Sequence, residues 1–360
     1  MEQPAFVPGL ELSRRFYRAA VRPILDARFP GLPYAAARIG HGSEVLGFDT
    51  EMSTDHDWGP ALAILLRDED EALAPQIDAA LRAGLPATFG GYPVLVPRGA
   101  DAPGHDAGAD HRATPATLRS FVRALIAHDY DAPLDAVDWL TIPSQALLEL
   151  TAGAVHHDGV GALTALRAKL AWYPRDVWLY LLAAGWQRIG QEEHLMPRAG
   201  FVGDELGSAL IGARLARDVM ALCFLMERRY APYPKWFGTA FGRLRCAGEL
   251  GPLLWESQRS AGWRERAAAL ASAYERLAQM HNALGLTQPV PEQATSFFGR
   301  PFPVIFGGEV ARVLVEQIAD PEVSRIAARR VIGSIDQWSD STDLRADPGR
   351  RAVLRGLYEG

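Results

Sequence analysis

Cysteine is nearly missing: Cys223 and Cys246 are the only two in 360 residues. Both sit in stretches of helical character, so they build neither a disulfide framework nor a zinc cluster, and a reduced cytoplasm fits them. Lysine is as scarce. Lys169 and Lys235 stand alone among 37 basic residues, the rest being arginine. A lysine at either place supplies a compact charge that arginine does not reproduce, unless both are chance survivors on the surface. No uninterrupted apolar run reaches the roughly 20 residues that span a bilayer. The opening Met-Glu-Gln-Pro-Ala-Phe-Val-Pro has neither the basic nor the apolar stretch of a secretory signal. The expectation is a cytoplasmic chain without a membrane partner. Positive charge is not in surplus either: the net charge is −6, so no overall field draws nucleic acid, a local basic groove aside. Gly-Lys-Ser/Thr and Gly-x-Ser-x-Gly are absent, which removes the P-loop and the hydrolase elbow. Gly40-x-Gly42 followed by Gly47 has the wrong spacing for a dinucleotide fingerprint.

What is present is a Gly-Ser turn with acids behind it. Gly42-Ser43-Glu44-Val45-Leu46-Gly47 is followed, past Asp49 and Glu51, by Ser53-Thr54-Asp55-His56-Asp57-Trp58. If the Asp-x-Asp segment is a strand, Asp55 and Asp57 share a face, because strand side chains alternate with period two. Two neighbouring carboxylates with no lysine or arginine between them call for a cation, and hard oxygen ligands suit Mg²⁺ or Mn²⁺. The turn offers Gly42 and Ser43, with backbone N–H groups and a hydroxyl, to a phosphate. These are the parts of a metal-dependent nucleotide site.

The apolar and charged fractions, 48% and 22%, are those of an ordinary globular chain, and its length allows two cores. Residues 11–28 have helical spacing with a kink near Pro23, 34–39 read as a strand, 61–66 as another, 68–83 as helix and 92–96 as strand. Residues 98–113 read as a mobile loop. Beyond about residue 140 the pattern turns helical, with long helices predicted over 174–193, 204–229 and 263–284, and an ordered loop over 286–308. The expected fold is α+β: a small mixed-sheet domain over 1–139 and an all-helical domain over 140–360.

His156-His157-Asp158 reads as a solvated turn rather than a metal site. Trp172, Trp178 and Trp186 belong largely to the helical core, although Trp172 or Trp178, flanking a turn, could line a cleft for a planar ligand. Glu192 and Glu193 end a helix where acidic groups oppose the dipole, which suits either an exposed helix end or a purposeful carboxylate.

Gly42-Ser43 and Asp55-His56-Asp57 resemble the pattern of the DNA polymerase β-like nucleotidyltransferase superfamily, a Gly-Ser turn and, roughly ten residues on, Asp-x-Asp. The chain resembles more closely a bacterial nucleotidyltransferase-like group whose defining domain has no assigned function. The stretches that carry this are 42–49, 55–60, Trp-Tyr-Pro-Arg-Asp-Val-Trp at 172–178, Tyr-Pro-Lys-Trp-Phe-Gly-Thr-Ala-Phe at 233–241, 281–286 and 335–341. As in kanamycin-type antibiotic nucleotidyltransferases, the resemblance implies a catalytic α/β domain followed by a helical substrate-binding domain. It implies attack of an acceptor hydroxyl on the α-phosphorus of an NTP, with Mg²⁺ or Mn²⁺ held by Asp55 and Asp57. Gly42, Ser43 and Lys235 would contact the nucleotide, and the unknown acceptor would be a small molecule. Active members add a third carboxylate from a later strand, here near 111–118, where Thr114 and Pro115 stand instead. Asp106 or Asp110 would have to substitute. Asp49, Glu51 and Glu192 are further candidates for the site. Two alternatives stay open, a regulatory protein that binds a nucleotide without turning it over, and an interaction protein of the toxin–antitoxin kind.

Overall fold

The structure is a computed structural model that describes residues 4–55, 58–97 and 109–359. By contacts the chain divides into two compact units, one of residues 1–133 with 146–171, the other of 134–145 with 172–360. The chain is an α+β protein.

The first unit opens with α1 (Gly9–Phe16) and α2 (Arg22–Arg28), joined by a π-helical turn over Tyr17–Val21. Pro23 explains the break: its nitrogen has no hydrogen for the carbonyl one turn earlier, and the helix relaxes by widening just before it. β1 (Tyr34–Arg38) follows, then a 3₁₀ turn (Glu51–Asp55), β2 (Ala61–Leu66), α3 (Ala74–Gly84), a short hairpin of β3 (Thr88–Phe89) with β4 (Tyr92–Pro93), β5 (Leu95–Pro97), β6 (Ala109–Thr117) and α4 (Leu118–Ile126). The chain then passes through α5 (Ala136–Thr141) of the second unit. It returns along α6 (Ser144–Thr151) to β7 (Ala154–Asp158) and α7 (Ala162–Lys169).

The five-stranded sheet has the order β5-β6-β2-β1-β7. β1 is antiparallel to β2, pairing Ala37 with Ala63, and β2 is parallel to β6, pairing Ala63 with Thr114. β2 is buried along its whole length, which is why its sequence is an unbroken apolar run rather than an alternation. Tyr34, Ala36, Leu62, Ile64 and Ala113 pack on one face against Phe16, Val21, Leu25, Ile77 and Leu81.

Three expectations fail here. The 98–113 loop ends early, because Ala109 begins β6, where pairing with β5 over Ala109–His111 and with β2 from Arg112 onward stabilises a stretch without apolar periodicity. Pro115 is tolerated because β5 pairs only Ala109–His111, leaving that edge of β6 without a strand partner among the described residues. His156-His157-Asp158 is not a turn but lies in β7, antiparallel to β1. There His156 accepts or donates at 2.9 Å to the Ser13 hydroxyl and stacks on Tyr17, and burial lowers its pKa to about 4. The change of character near residue 140 is not the boundary between units, since β7 completes the sheet of the first.

The second unit is helical: α8 (Arg175–Glu192), α9 (Leu195–Phe201), α10 (Glu205–Met226), α11 (Pro234–Phe241), α12 (Ala247–Arg259) and α13 (Trp263–Ala283). The predicted ordered loop carries a short hairpin, β8 (Thr295–Ser296) with β9 (Pro303–Val304), before α14 (Gly307–Val315) and α15 (Pro321–Arg329). α8 is buried on nearly every side, with Trp178, Tyr180 and Trp186 among the largest enclosed side chains. It meets α14 backbone to backbone: a Cβ on Gly190 would lie 2.4 Å from the Gly308 nitrogen. No helix among the described residues is long and apolar enough to cross a membrane.

Candidate functional site

Antiparallel pairing puts the end of β1 beside the start of β2, and parallel pairing puts the start of β6 there too. The Gly-Ser turn leaves β1, and the acidic segment enters β2, at that one end of the sheet.

The turn is braced from below. Arg38 donates through Nε (2.9 Å) and Nη2 (2.5 Å) to Glu44, and through Nη1 and Nη2 to the carbonyls of Ile39 and His41. Glu44 is buried, and the pair closes over Gly42, whose φ of +138° and whose missing Cβ are both required. A Cβ there would fall 2.6 Å from Arg38 Nη2. From behind, the Gly40 amide donates to the Glu149 carbonyl and the Gly153 amide to the Val45 carbonyl. His41 stands 3.0 Å from the Glu149 carboxylate, which raises the imidazole pKa.

Within the turn the amides of Val45, Gly47 and Phe48 donate back to the carbonyls of Gly42, Glu44 and Ser43. The amides of Gly42, Ser43 and Glu44, and the Ser43 hydroxyl, donate to nothing among the described residues. Three successive unspent N–H groups beside an unspent hydroxyl are the elements of an anion-binding nest.

The carboxylates divide. Asp49 is committed to structure, since its Oδ2 accepts from the Gly9 amide (2.7 Å) and the Trp58 indole (3.2 Å), fastening the start of α1. Glu51 is exposed at the head of the 3₁₀ turn, and Asp55, exposed, ends it. The expectation that Asp55 sits on a strand is therefore corrected. The Thr50 amide donates to the Ser53 hydroxyl and the Thr54 hydroxyl to the Glu51 carbonyl, local bonds that favour a turn over a ladder. His56 and Asp57 lie outside the described residues, as does Asp106. Asp110 is on β6, not in a loop, and Arg82 donates to it at 2.7 Å. Thr114 is exposed on the same strand. Among the described residues no group of three or more His, Cys, Asp or Glu could hold a metal ion.

The remaining candidates are in the second unit. Lys235 is exposed at the start of α11, its ammonium 5.0 Å from the centre of the Trp236 ring. Glu192 takes a two-pronged pair from Arg214 (3.0 and 2.7 Å). Its neighbour Glu193 is buried and accepts from the amides of Ile305 (2.7 Å) and Gly307 (3.1 Å), so the carboxylates at the end of α8 serve packing. Sequence reading missed a pocket of about 220 Å³ in this unit, walled by Tyr173, Phe224, Tyr230 and Phe237 with Arg229 and Asp336. Trp178 does not line it, since its indole donates to the Leu225 carbonyl in the core. The ring that does is Tyr173, between the two tryptophans, and the density of aromatics at 172–178 was the available signal.

A family profile described as a domain of unknown function (DUF4037) matches residues 139–237. No curated protein matches. Among solved structures the chain is similar to a nucleotidyltransferase-like protein from Exiguobacterium sibiricum 255-15, at 9% identity and a TM-score of 0.32, over 77% of this chain and 78% of that one. A likeness so slight carries no argument about chemistry, and the residues of the first unit have to supply it.

Proposed function

We propose that the first unit binds a nucleoside triphosphate with Mg²⁺ (or Mn²⁺) and transfers its nucleotidyl group to an acceptor hydroxyl. The observation that carries this is the turn after β1, where the amides of Gly42, Ser43 and Glu44 and the Ser43 hydroxyl have no acceptor among the described residues. A phosphate chain supplies acceptors for all four, and Gly42, closed over by the Arg38–Glu44 pair, supplies the positive φ that the turn requires. Asp55, leading into the neighbouring strand, and Asp57 are the residues that would hold the cation. One or two carboxylates completed by substrate phosphates suit Mg²⁺ better than a full protein cage does. When bound, the ion would neutralise the triphosphate and polarise its phosphorus. The protein's own work is positioning: amides on the phosphate oxygens and a rigid sheet end beneath them.

A second reading, binding with slow transfer, is favoured by β6. Thr114 offers no carboxylate, and Asp110 is already engaged by Arg82. An acceptor without a nearby base loses on the order of 10²–10⁴-fold in rate.

Calorimetry with Mg-NTP separates these readings from their failure. The intact chain should bind, Ser43→Ala should weaken binding by about tenfold or more, and Asp55→Asn should do so only when Mg²⁺ is present. Label from an α-labelled NTP should then appear on an acceptor in cell extract, slowly under the second reading. No binding of any NTP would end both.

A further inference from the structure

The pocket of the second unit is lined by side chains whose polar atoms are mostly spent on one another. Asp336 accepts from the Ser144 amide (2.7 Å) and from Arg345 (2.5 Å), while Arg217 pairs with Asp340 (2.5 Å). Ser144 Oγ donates to the Ala231 carbonyl, and Gln337 is used at both ends, by the Ser334 amide and the Leu181 carbonyl. Arg345, although paired with Asp336, keeps its buried Nε without a hydrogen-bond partner among the described residues, and two further groups are left over. The Arg229 guanidinium makes no ion pair or hydrogen bond, and the Tyr173 hydroxyl no hydrogen bond, among the described residues.

The backbone sets Arg229 there deliberately. α10 ends with Arg228 in the left-handed region (φ +52°), and the Arg229 amide reaches back to the Phe224 carbonyl at 2.9 Å, the hydrogen bond of a glycine-type helix stop made without glycine. The Arg228 guanidinium lies 4.2 Å over the Trp178 ring, which offsets the cost of that conformation. The Tyr173 ring is held by edge contacts to Trp139, Trp172 and Tyr230. Burial and the nearby Asp336 and Tyr230 keep its phenol protonated, hence a donor.

We propose that this pocket binds a small flat organic anion, an aromatic acid whose ring lies between the phenyl and phenol walls. Its carboxylate meets Arg229, and one of its acceptor atoms takes the Tyr173 hydroxyl. The charge balance selects the sign: Arg217 and Arg345 are matched by Asp340 and Asp336, so Arg229 leaves a net positive charge. Aromatic walls with a few placed polar groups select a planar body over a bare ion. The site lies wholly in the second unit. It does not rest on the nucleotidyl-transfer reading, and its test contains no nucleotide.

The probes are benzoate, 4-hydroxybenzoate and indole-3-acetate, titrated calorimetrically into the full chain, with indole-3-acetamide, tryptamine and inorganic phosphate as counterparts. At least one of the acids should bind, while the amide should bind about tenfold or more weakly, and tryptamine and phosphate not at all. Arg229→Gln, an exposed position where folding is not at stake, should weaken the acid about 10–100-fold and leave the amide unchanged. Tyr173→Phe should weaken both acid and amide. The proposal is overturned if none of the three acids binds at millimolar concentration, if Arg229→Gln leaves acid affinity unchanged, or if tryptamine or phosphate binds as well as the acid.

Discussion

Glu193 shows how one buried carboxyl sets a pH response. Burial raises its pKa from 4.5 to about 7, against the pull of the backbone amides it accepts from, Ile305 and Gly307 among them. The folded chain thus holds a proton that the unfolded chain has released over that interval. Stability contributed by this group is complete below about pH 4.5 and is lost as the pH rises through about 7, by about 3 kcal/mol. Urea midpoints measured from pH 4.5 to 8 should fall for the native chain and stay level, in this component, for Glu193→Gln. A parallel fall in both chains would contradict the assignment. Asp49 has the opposite lesson. It stood among the acids expected at the nucleotide site, yet it holds Gly9 and Trp58. Asp49→Ala should cost about 1–3 kcal/mol in urea unfolding, with no change in the Mg²⁺ dependence of NTP binding.

At the scale of elements, β1, β2 and the long helices were legible because their hydrophobic patterns are strong and local. β2 is an unbroken apolar run, and α8 carries aromatics all round. β6 was half legible. Its start was lost in the 98–113 stretch because Asp110, His111 and Arg112 have no apolar alternation. They are strand only because partners are offered from outside the stretch, β5 to Asp110 and His111 in antiparallel pairing and β2 to Arg112 in a parallel ladder. The Gly42-Ser43 turn was visible as a motif, whereas the brace that shapes it, Arg38 with Glu44, depends on a fold that short-range spacing does not encode. Thr114 gives this scale its prediction. It is exposed on β6 opposite Ala63, so Thr114→Asp should be tolerated to within about 0.5 kcal/mol, as most surface substitutions are. If transfer is limited by a missing carboxylate, the variant should form labelled product faster than the native chain in the α-labelled NTP assay. A lower rate with intact NTP binding would place the acceptor's base elsewhere.

For the whole molecule the decisive fact is that the first unit is discontinuous. Gly153 makes this concrete: its amide holds Val45, its φ is +74°, and a Cβ would fall 2.1 Å from the Arg38 carbonyl oxygen. A chain cut at residue 139, where composition changes, would lack β7 and the support behind the Gly-Ser turn. We expect that fragment to show no cooperative thermal transition by circular dichroism. Well-dispersed amide resonances from residues 1–139 alone would show that β7 is dispensable.

The same discontinuity bears on birth at the ribosome. β5, β6, β2 and β1 have all been made by Thr117, but β7 follows about forty residues later. At 5–20 residues per second that is a delay of about 2–8 s. Throughout it β1 presents an open edge, the kind of edge that invites pairing with another nascent chain. Its side chains there, Tyr-Ala-Ala-Ala-Arg, include only one charge, and it is at the far end. Crowded polysomes, rather than the finished protein, are where this sheet is most exposed to misassembly.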